Sequence, residues 1–595
     1  MRRLPLTASV VLTLSLSATN ASAVDLQLSA PSLSGAARDA VSAVLLLTEL
    51  ESRKDRPDGQ EVLAAAQADY VRVLGALYDR GYYGPTISIR LDGREAAEIA
   101  PLSPPNSVVR AVVTVDPGPR FTFGTARIGP LAPGSRPPEG FVGGQTAAAT
   151  VLREAADQAI MDWRNASHAK AQVVDQQITA RHSAARLDAT IRIDAGPALR
   201  FGKMTVTGQT TVRPERVQAI AGLPEGRVFS PEALEDAAER LRRTGTFRAA
   251  NLREGDTLQS DGNLPIEIEV VDSKPRRIGF GAELSSRQGL TLSAFWLHRN
   301  LLGGAERLRI DGEIRGIGGD TGGVDYTLGV LFDRPATFNA RTDFYASAGI
   351  ESLDEVAYKL DRVTLESGLV FRADRKRTFT GGIGYESARV NDAFGRRDYR
   401  LLSLPLAAEY DGRDNRLNPR TGWFGRVDLT PFAGLTGVDS GFQTKLDLRG
   451  YRGIGDRMTV AVRGQLGSVS GASTARSPSE MLFYSGGTGT VRGHGYQSLG
   501  VTLPSGKISG GRSFAGISAE LRVNATDKLS VVGFYDQGYI GPETVPDGRT
   551  GNWQSGAGLG LRYDTGIGPI RLDVATPLTG GGKGVQIYIG IGQAF

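Results

Sequence analysis

Arg492 stands out in this sequence for its chemistry, set in Val491-Arg492-Gly493 with glycines at positions 486, 487, 489, 493 and 495 around it. A guanidinium presents five donors in a rigid fork that can bridge two carboxylates, and the glycines let the backbone turn tightly beside it. That is an anchor for a loop, not a nucleophile or a proton shuttle. The familiar catalytic arrangements are missing: there is no G-x-S-x-G elbow and no Walker A, and Gly506-Lys507 lacks both the upstream spacing and a following Ser or Thr. His168, His182, His298 and His494 show no ligand spacing. The absence of cysteine excludes thiol catalysis, disulfides and Cys-based zinc sites. The expectation is a protein that is not an enzyme and needs no cofactor or metal.

The elements that would position Arg492 must be sought in a chain of 595 residues, too long for one ordinary domain. Gly at 77 residues is about twice its usual share, and with 21 Phe, 17 Tyr and 4 Trp the composition points to turn-rich β structure. The N-terminus has Arg2 and Arg3, an apolar run over 4–16 and then Ala21-Ser22-Ala23, the pattern of a signal peptide over 1–23. The net charge of +5 is spread over 69 basic and 64 acidic residues without a long like-charge run, which gives no reason to expect nucleic-acid binding. Beyond the signal no stretch approaches 18 consecutive apolar residues, so a membrane role would fall to a β-barrel.

An internal repeat organises the first half. Asp116-Pro117-Gly118-Pro119, Asp194-Ala195-Gly196-Pro197 and Asp272-Ser273-Lys274-Pro275 place Asp and Pro at 78-residue intervals. Each follows an alternating strand, over 109–115, 190–193 and 266–271. In the third copy Ser230-Pro231 reads as an N-cap and first helical residue, Leu234, Ala238 and Leu241 form an apolar stripe, and Gly245 stops the helix. A shorter helix precedes it near 214–221, and 61–79 and 147–163 predict helices in the other copies. Each unit of about 75 residues therefore reads as strand, two helices, two strands. This divides the chain into α+β domains over 24–117, 118–195 and 196–274.

From Pro275 onward, strands of about ten residues alternate polar and apolar faces between Gly, Asp, Asn and Pro turns. Ile517, Ala519, Leu521 and Val523 alternate with Ser518, Glu520, Arg522 and Asn524. Leu559, Leu561 and Tyr563 do the same against Gly558, Gly560, Arg562 and Asp564, and Ile570, Leu572 and Val574 flank Arg571 and Asp573. A soluble sandwich also alternates, but residues 275–595 form one unbroken run, and at about 20 residues per strand and turn it holds roughly 16 strands, an even number that closes. The last strand carries Val585, Ile587, Ile589 and Ile591 on one face and ends at Phe595, as many outer-membrane barrels do. Inside such a barrel a loop bearing Arg492 has a reason to need an anchor.

The residues also carry a family likeness. The segments 298–308 (HRNLLGGAERL), 411–423 (DGRDNRLNPRTGW), 486–496 (GGTGTVRGHGY), and 534–538 (FYDQG) with 561–573 (LRYDTGIGPIRLD), in that order, resemble the outer-membrane assembly-factor superfamily, the BamA-like proteins with POTRA domains. With three repeats ahead of the barrel, the chain is most similar to the TamA branch. The resemblance implies three α+β POTRA-like periplasmic domains followed by a 16-stranded antiparallel transmembrane β-barrel in the lipid bilayer of a bacterial outer membrane. It implies insertion or export of unfolded outer-membrane or autotransporter clients, and a TamB-type partner, anchored in the inner membrane, that docks on the arm. A two-partner secretion transporter and a general BamA-like insertase are the alternatives, and repeat number argues against both. In the family the loop Arg reaches carboxylates on the inner wall, and the matching positions here are Glu520, on the polar face of its strand, and Asp536, which shares a face with Phe534. Exposed strand edges, in the arm and at a weakly closed seam, can pair with client strands. The seam positions are Gly279, Phe280 and Gly281 in the first barrel strand and Ile589, Gly590, Gly592 and Phe595 at the end of the chain. Two departures stand out: Ser167 replaces the helix-stopping glycine of the third repeat, and His494 stands where an aromatic is common.

Overall fold

Asp116 and Asp194 each close the turn after their strand through the side chain: Asp116 Oδ1 accepts from the Gly118 amide at 3.3 Å, and Asp194 Oδ1 from the Gly196 amide at 3.0 Å. Both glycines sit at φ 64°, a conformation that glycine adopts without strain. The computed structural model describes residues 24–53, 55, 57–285, 289–319, 322–565, 568–580, 584–591 and 593. The expected signal peptide over 1–23, Gly592 and Phe595 lie outside the described residues.

The described chain divides into two compact units. The first runs up to Phe201 and includes Gly226–Glu232 and Ser260–Asn263. It holds two small sheets. In the first, Asp25–Ser29 and Thr86–Leu91 flank Arg110–Asp116, and Arg94–Glu95 extends the edge. The long helix Gly59–Tyr78 starts where Asp58 caps the Glu61 amide at 2.7 Å, and Val62, Leu63, Ala66, Val73 and Leu77 turn its apolar face onto this sheet's core. In the second, Arg186–Asp194 lies between Thr122–Gly129 and Gln172–Arg181, under the helix Ala149–Asn165.

The expectation of two helices in every repeat needs correction here. Between Thr122–Gly129 and Ala149–Asn165 the described chain forms no helix, because Pro130, Pro133, Pro137 and Pro138 with Gly134, Gly140, Gly143 and Gly144 cannot sustain one. The Ser167 departure is absorbed locally. Ser167 takes φ 76°, close to the 68° of Gly245, and its amide donates to the Arg164 carbonyl at 3.0 Å while His168 donates to Trp163 at 2.9 Å, which closes the helix without glycine.

The second unit joins most of residues 202–259 to everything from Leu264 onward. Helices Pro214–Ala221 and Pro231–Arg243 form where the Pro-initiated apolar spacing predicts them, beside a sheet of Phe201–Gln209, Leu264–Asp272 and Phe247–Glu254 in that order. Arg276–Ser285 then opens a 17-stranded antiparallel sheet that runs to Gln586–Ile591. Gly395–Ser403 and Leu406–Asp411 both lie between Arg377–Asp392 and Gly422–Thr436, end to end, so those two segments share one position. Pro405 interrupts them because it cannot donate to a ladder.

The faces of this sheet are reversed relative to a soluble protein. Leu521 is 47% exposed and Leu561 44%, while their polar neighbours Glu520 and Arg562 are each 2% exposed. An apolar outer wall around a polar interior is the pattern of a membrane barrel. No helix among the described residues is long and apolar enough to cross a membrane. The first and last strands come within reach of each other, yet no hydrogen-bonded ladder joins them among the described residues.

Candidate functional site

Residues 471–512 leave the barrel between strands Met458–Ser470 and Ser513–Asn524 and fold back against the inner wall. Their route is pinned by main-chain bridges, Phe483 with Gly511 and Ser485 with Leu499, and by a hairpin of Val501–Thr502 and Ile508–Ser509. The Phe483 ring fills the space that Gly467 leaves open on the wall. Gln443 donates to the Met481 carbonyl at 2.6 Å, and the Tyr399 hydroxyl stands 2.8 Å from Glu386 and 2.9 Å from Glu480 of the loop. That hydroxyl has one proton, so it donates to one of the two carboxyl groups at a time, and Arg362 Nη1 lies 3.7 Å from Glu386.

At the loop tip Arg492 is 1% exposed and its fork is fully engaged. Nε and Nη2 donate to Asp536 at 2.7 and 2.9 Å, the main-chain amide adds a 3.1 Å bond to the same carboxylate, and Nη1 donates to Glu520 at 2.7 Å. The guanidinium Cζ lies over the Phe534 ring, 3.6 Å from the centroid. This explains why Asp536 and Phe534 occupy one face: both face Arg492, one as anion and one as π surface. Val491 is buried and packs toward Gly538, where a side chain would collide with it. Gly493 takes φ 95° and lies so close to Thr576 and Pro577 that a methyl group would meet main-chain atoms at 2.6 Å. The tip is therefore seated on the wall by shape as well as charge.

The family resemblance matches Arg492 to Glu520 and Asp536, and the structure brings those three together. Sequence reasoning missed Asp573, fully buried on strand Ile570–Thr579, whose Oδ2 lies 3.4 Å from Arg492 Nη1. It also missed the cations that keep these carboxylates apart. Arg522 Nε donates to Glu520 at 2.9 Å, Arg562 Nη1 donates to Asp573 at 2.5 Å, and Arg571 Nε lies 3.7 Å from Asp573. Alternation alone assigned all of these to the polar face. What it lacked was the inter-strand register that aligns them with one loop. His494 makes up for the missing aromatic by polar contact, with Nε2 2.9 Å from the Ser555 carbonyl.

The seam positions are arranged differently from one another. Phe280 is 85% exposed on the outer face, and Ile589, 60% exposed, faces outward on the last strand. Gly279 and Gly281 face inward, where the Phe295 ring and the Ser293 hydroxyl occupy the space their side chains would take. Gly590 has the Arg571 guanidinium beside it. Through Arg571, Gly590 reaches the edge of the Arg492 network, while Gly279, Phe280, Gly281 and Ile589 lie apart from it. His494 belongs to the loop tip, and the other three histidines lie apart from it: His168 lies 2.7 Å from the Gly196 carbonyl, His182 stacks edge-on to Phe121, and His298 lies beside Trp296.

Residues 300–595 match the Omp85 superfamily domain, and residues 199–271 match POTRA, the surface antigen variable number repeat. The outer membrane protein assembly factor BamA of Neorickettsia risticii (strain Illinois) is 22% identical over 427 residues, 68% of this chain and 55% of that protein, so the chain spans about half the length of this curated relative. Among solved structures, BamA from Haemophilus ducreyi lacking POTRA domains 1–3 has a similar fold, with a TM-score of 0.58 at 19% identity over 76% of this chain and 94% of that one. CdiB from Acinetobacter baumannii is similar with a TM-score of 0.51 at 12% identity, covering 80% and 90%.

Proposed function

We propose that this chain, an Omp85-superfamily protein with a POTRA domain, inserts or exports client proteins at the bacterial outer membrane. Residues 275–595 act as a 16-stranded transmembrane barrel, and 24–117, 118–195 and 196–274 act as three POTRA-like domains in the periplasm. The observation that carries the reading is the seam, where the first and last strands adjoin with no ladder between them among the described residues, an edge at which a client strand can pair. Unfolded outer-membrane proteins, autotransporters foremost, are the clients. A TamB-type protein anchored in the inner membrane docks on the arm, as in the TamA branch. Chemistry is limited to strand exchange, with no catalytic residue and no cofactor.

A photo-crosslinker placed at position 280 or 589 in cells should capture unfolded barrel clients, and a crosslinker at Leu435, exposed on a strand far from the seam, should not. Equal capture at all three positions would overturn the seam reading. A general BamA-like insertase is the second reading, favoured by the curated relative. Co-purification of a large inner-membrane-anchored protein with the arm separates the two, since it supports the TamA-type assignment.

A further inference from the structure

One side chain joins the anchored loop tip to the last barrel strand. Tyr588 lies on Gln586–Ile591, directly opposite Asp573 in the ladder, and so faces the lumen with the Arg492 network. Its hydroxyl accepts from the Gly493 amide at 3.0 Å and donates to the His494 carbonyl at 3.3 Å. Its ring packs against Val532, Phe534 and Ala575, the same Phe534 that lies under Arg492.

The main chain of the last strand is held along one edge among the described residues. Its ladder to Ile570–Thr579 covers Gln586–Ile591, and its other edge has no ladder among the described residues. An edge strand held by one ladder opens more readily than one held by two. Beyond the two strands that carry Glu520 and Asp536, the loop tip touches the next three in order: His494 bonds to Ser555, Gly493 lies against Thr576 and Pro577, and Tyr588 reaches back from the last. Of these contacts, only that to Tyr588 falls on the strand with a free edge.

We propose that Tyr588 is a positioning residue that latches the last barrel strand to the inward loop, so that release of the loop tip frees the strand edge on which client pairing depends. The consequence for clients rests on the assembly function proposed above; the latch itself does not. When the tip lifts, the Gly493 amide and the His494 carbonyl lose their partner, and the strand loses this tie while its ladder to Ile570–Thr579 remains. When the strand moves, two main-chain groups of the tip are left without that partner, so each event favours the other.

The test uses the full chain in lipid nanodiscs, with amide hydrogen exchange followed over residues 584–591 and over 513–524. Tyr588→Phe keeps the ring in its apolar seat and removes only the hydroxyl. Exchange over 584–591 should quicken about tenfold, the effect of losing one to two hydrogen bonds, with 513–524 unchanged and heat-modifiable gel mobility intact. Gly493→Ala attacks the same link from the other side, since its methyl group cannot fit against Thr576 and must displace the tip while Tyr588 remains. It too should quicken 584–591. Unchanged exchange over 584–591 in Tyr588→Phe, or in a Gly493→Ala protein whose loop residues exchange faster, would overturn the latch. Client display is scored on the same variants: faster strand exchange with wild-type display would keep the latch and overturn its role in assembly.

Discussion

Glu520 and Asp536 are diagonal neighbours across one strand pair, Glu520 lying opposite Phe534 and Asp536 opposite Ser518, and the Arg492 guanidinium bonds to both. Neither carboxylate is more than 2% exposed. Like charges at this spacing are tolerable only with the cation between them.

Replacing Arg492 with Ala should therefore impair client assembly more than barrel formation. Removing one member of a buried ion pair destabilises by about 3–5 kcal/mol. Here Arg522 and Arg562 still face Glu520 and Asp573, so the loss falls mainly on Asp536 and on the loop that bonded to it. Arg492→Lys keeps the charge without the fork and should be intermediate. Heat-modifiable mobility reports the folded barrel and surface display reports assembly. Wild-type display by folded Arg492→Ala would remove the anchor from the mechanism.

A disulfide across the seam should stop assembly and leave the barrel intact. The chain has no native cysteine, so Phe280→Cys with Ile589→Cys, or neighbours one or two positions along, can be oxidised without competing thiols. Display should fall on oxidation and return on reduction. Full activity in the oxidised protein would show that the seam does not open.

Several parts of this arrangement were legible before any coordinates. The two-residue period put Glu520, Arg522, Arg562, Arg571 and Asp573 on one polar face, and the glycine-flanked Arg492 called for anions. What could not be read was which of those polar residues stand within reach of one loop, because that depends on register across four strands and one slip moves every side chain to the other face. The same limit hid the filling of the Gly279 space by Phe295. Ser167 was a different case. Its type argued against a left-handed helix exit, and the hydrogen bonds from Ser167 and His168 outweigh that preference.

In the first arm domain, Glu95 should make stability depend on pH. Burial alone would raise its carboxyl, but hydrogen bonds from Ser88, Tyr70 and the Ile89 amide, with Arg90 nearby, outweigh this and hold it below the usual carboxylate range. Burial, and then Glu95, pushes the Tyr70 phenol up to about 12, so it remains a donor throughout. A carboxyl depressed in the folded state contributes stability that is present above its unfolded value, about 4.3, and is lost as pH falls through the folded one. Glu95→Gln should destabilise this domain by about 1–3 kcal/mol at pH 7, and the difference from wild type should shrink below about pH 4. Calorimetry of the full chain at both pH values measures it. A difference that grows on acidification would contradict the assignment.

Contacts between residues 213–243 and the barrel's turns should differ in strength by burial, not by charge. Arg375 forms an ion cluster with Glu235 at 3.3 Å, Asp236 at 2.8 Å and Glu239 at 3.0 Å, but all four side chains are substantially exposed. Exposed pairs contribute about 0–1 kcal/mol and are screened by salt. Arg216 is partly buried and donates to the carbonyls of Pro335 at 2.5 Å and Ala336 at 3.2 Å, while Arg213 Nη1 donates to Leu302 at 2.7 Å. Loss of Arg216 leaves main-chain acceptors without that donor in a confined place, which destabilises by about 1–3 kcal/mol. Gly222 adds contact by shape: at φ 58° it sits so close to Ala340 that a methyl group would overlap it. Arg216→Ala and Gly222→Ala should therefore speed protease cleavage around 302–304 several-fold, whereas Arg375→Ala should change it little and only at low salt. If Arg375→Ala produced the larger, salt-sensitive effect, charge and not burial would be what holds these two helices, Pro214–Ala221 and Pro231–Arg243, to the turns.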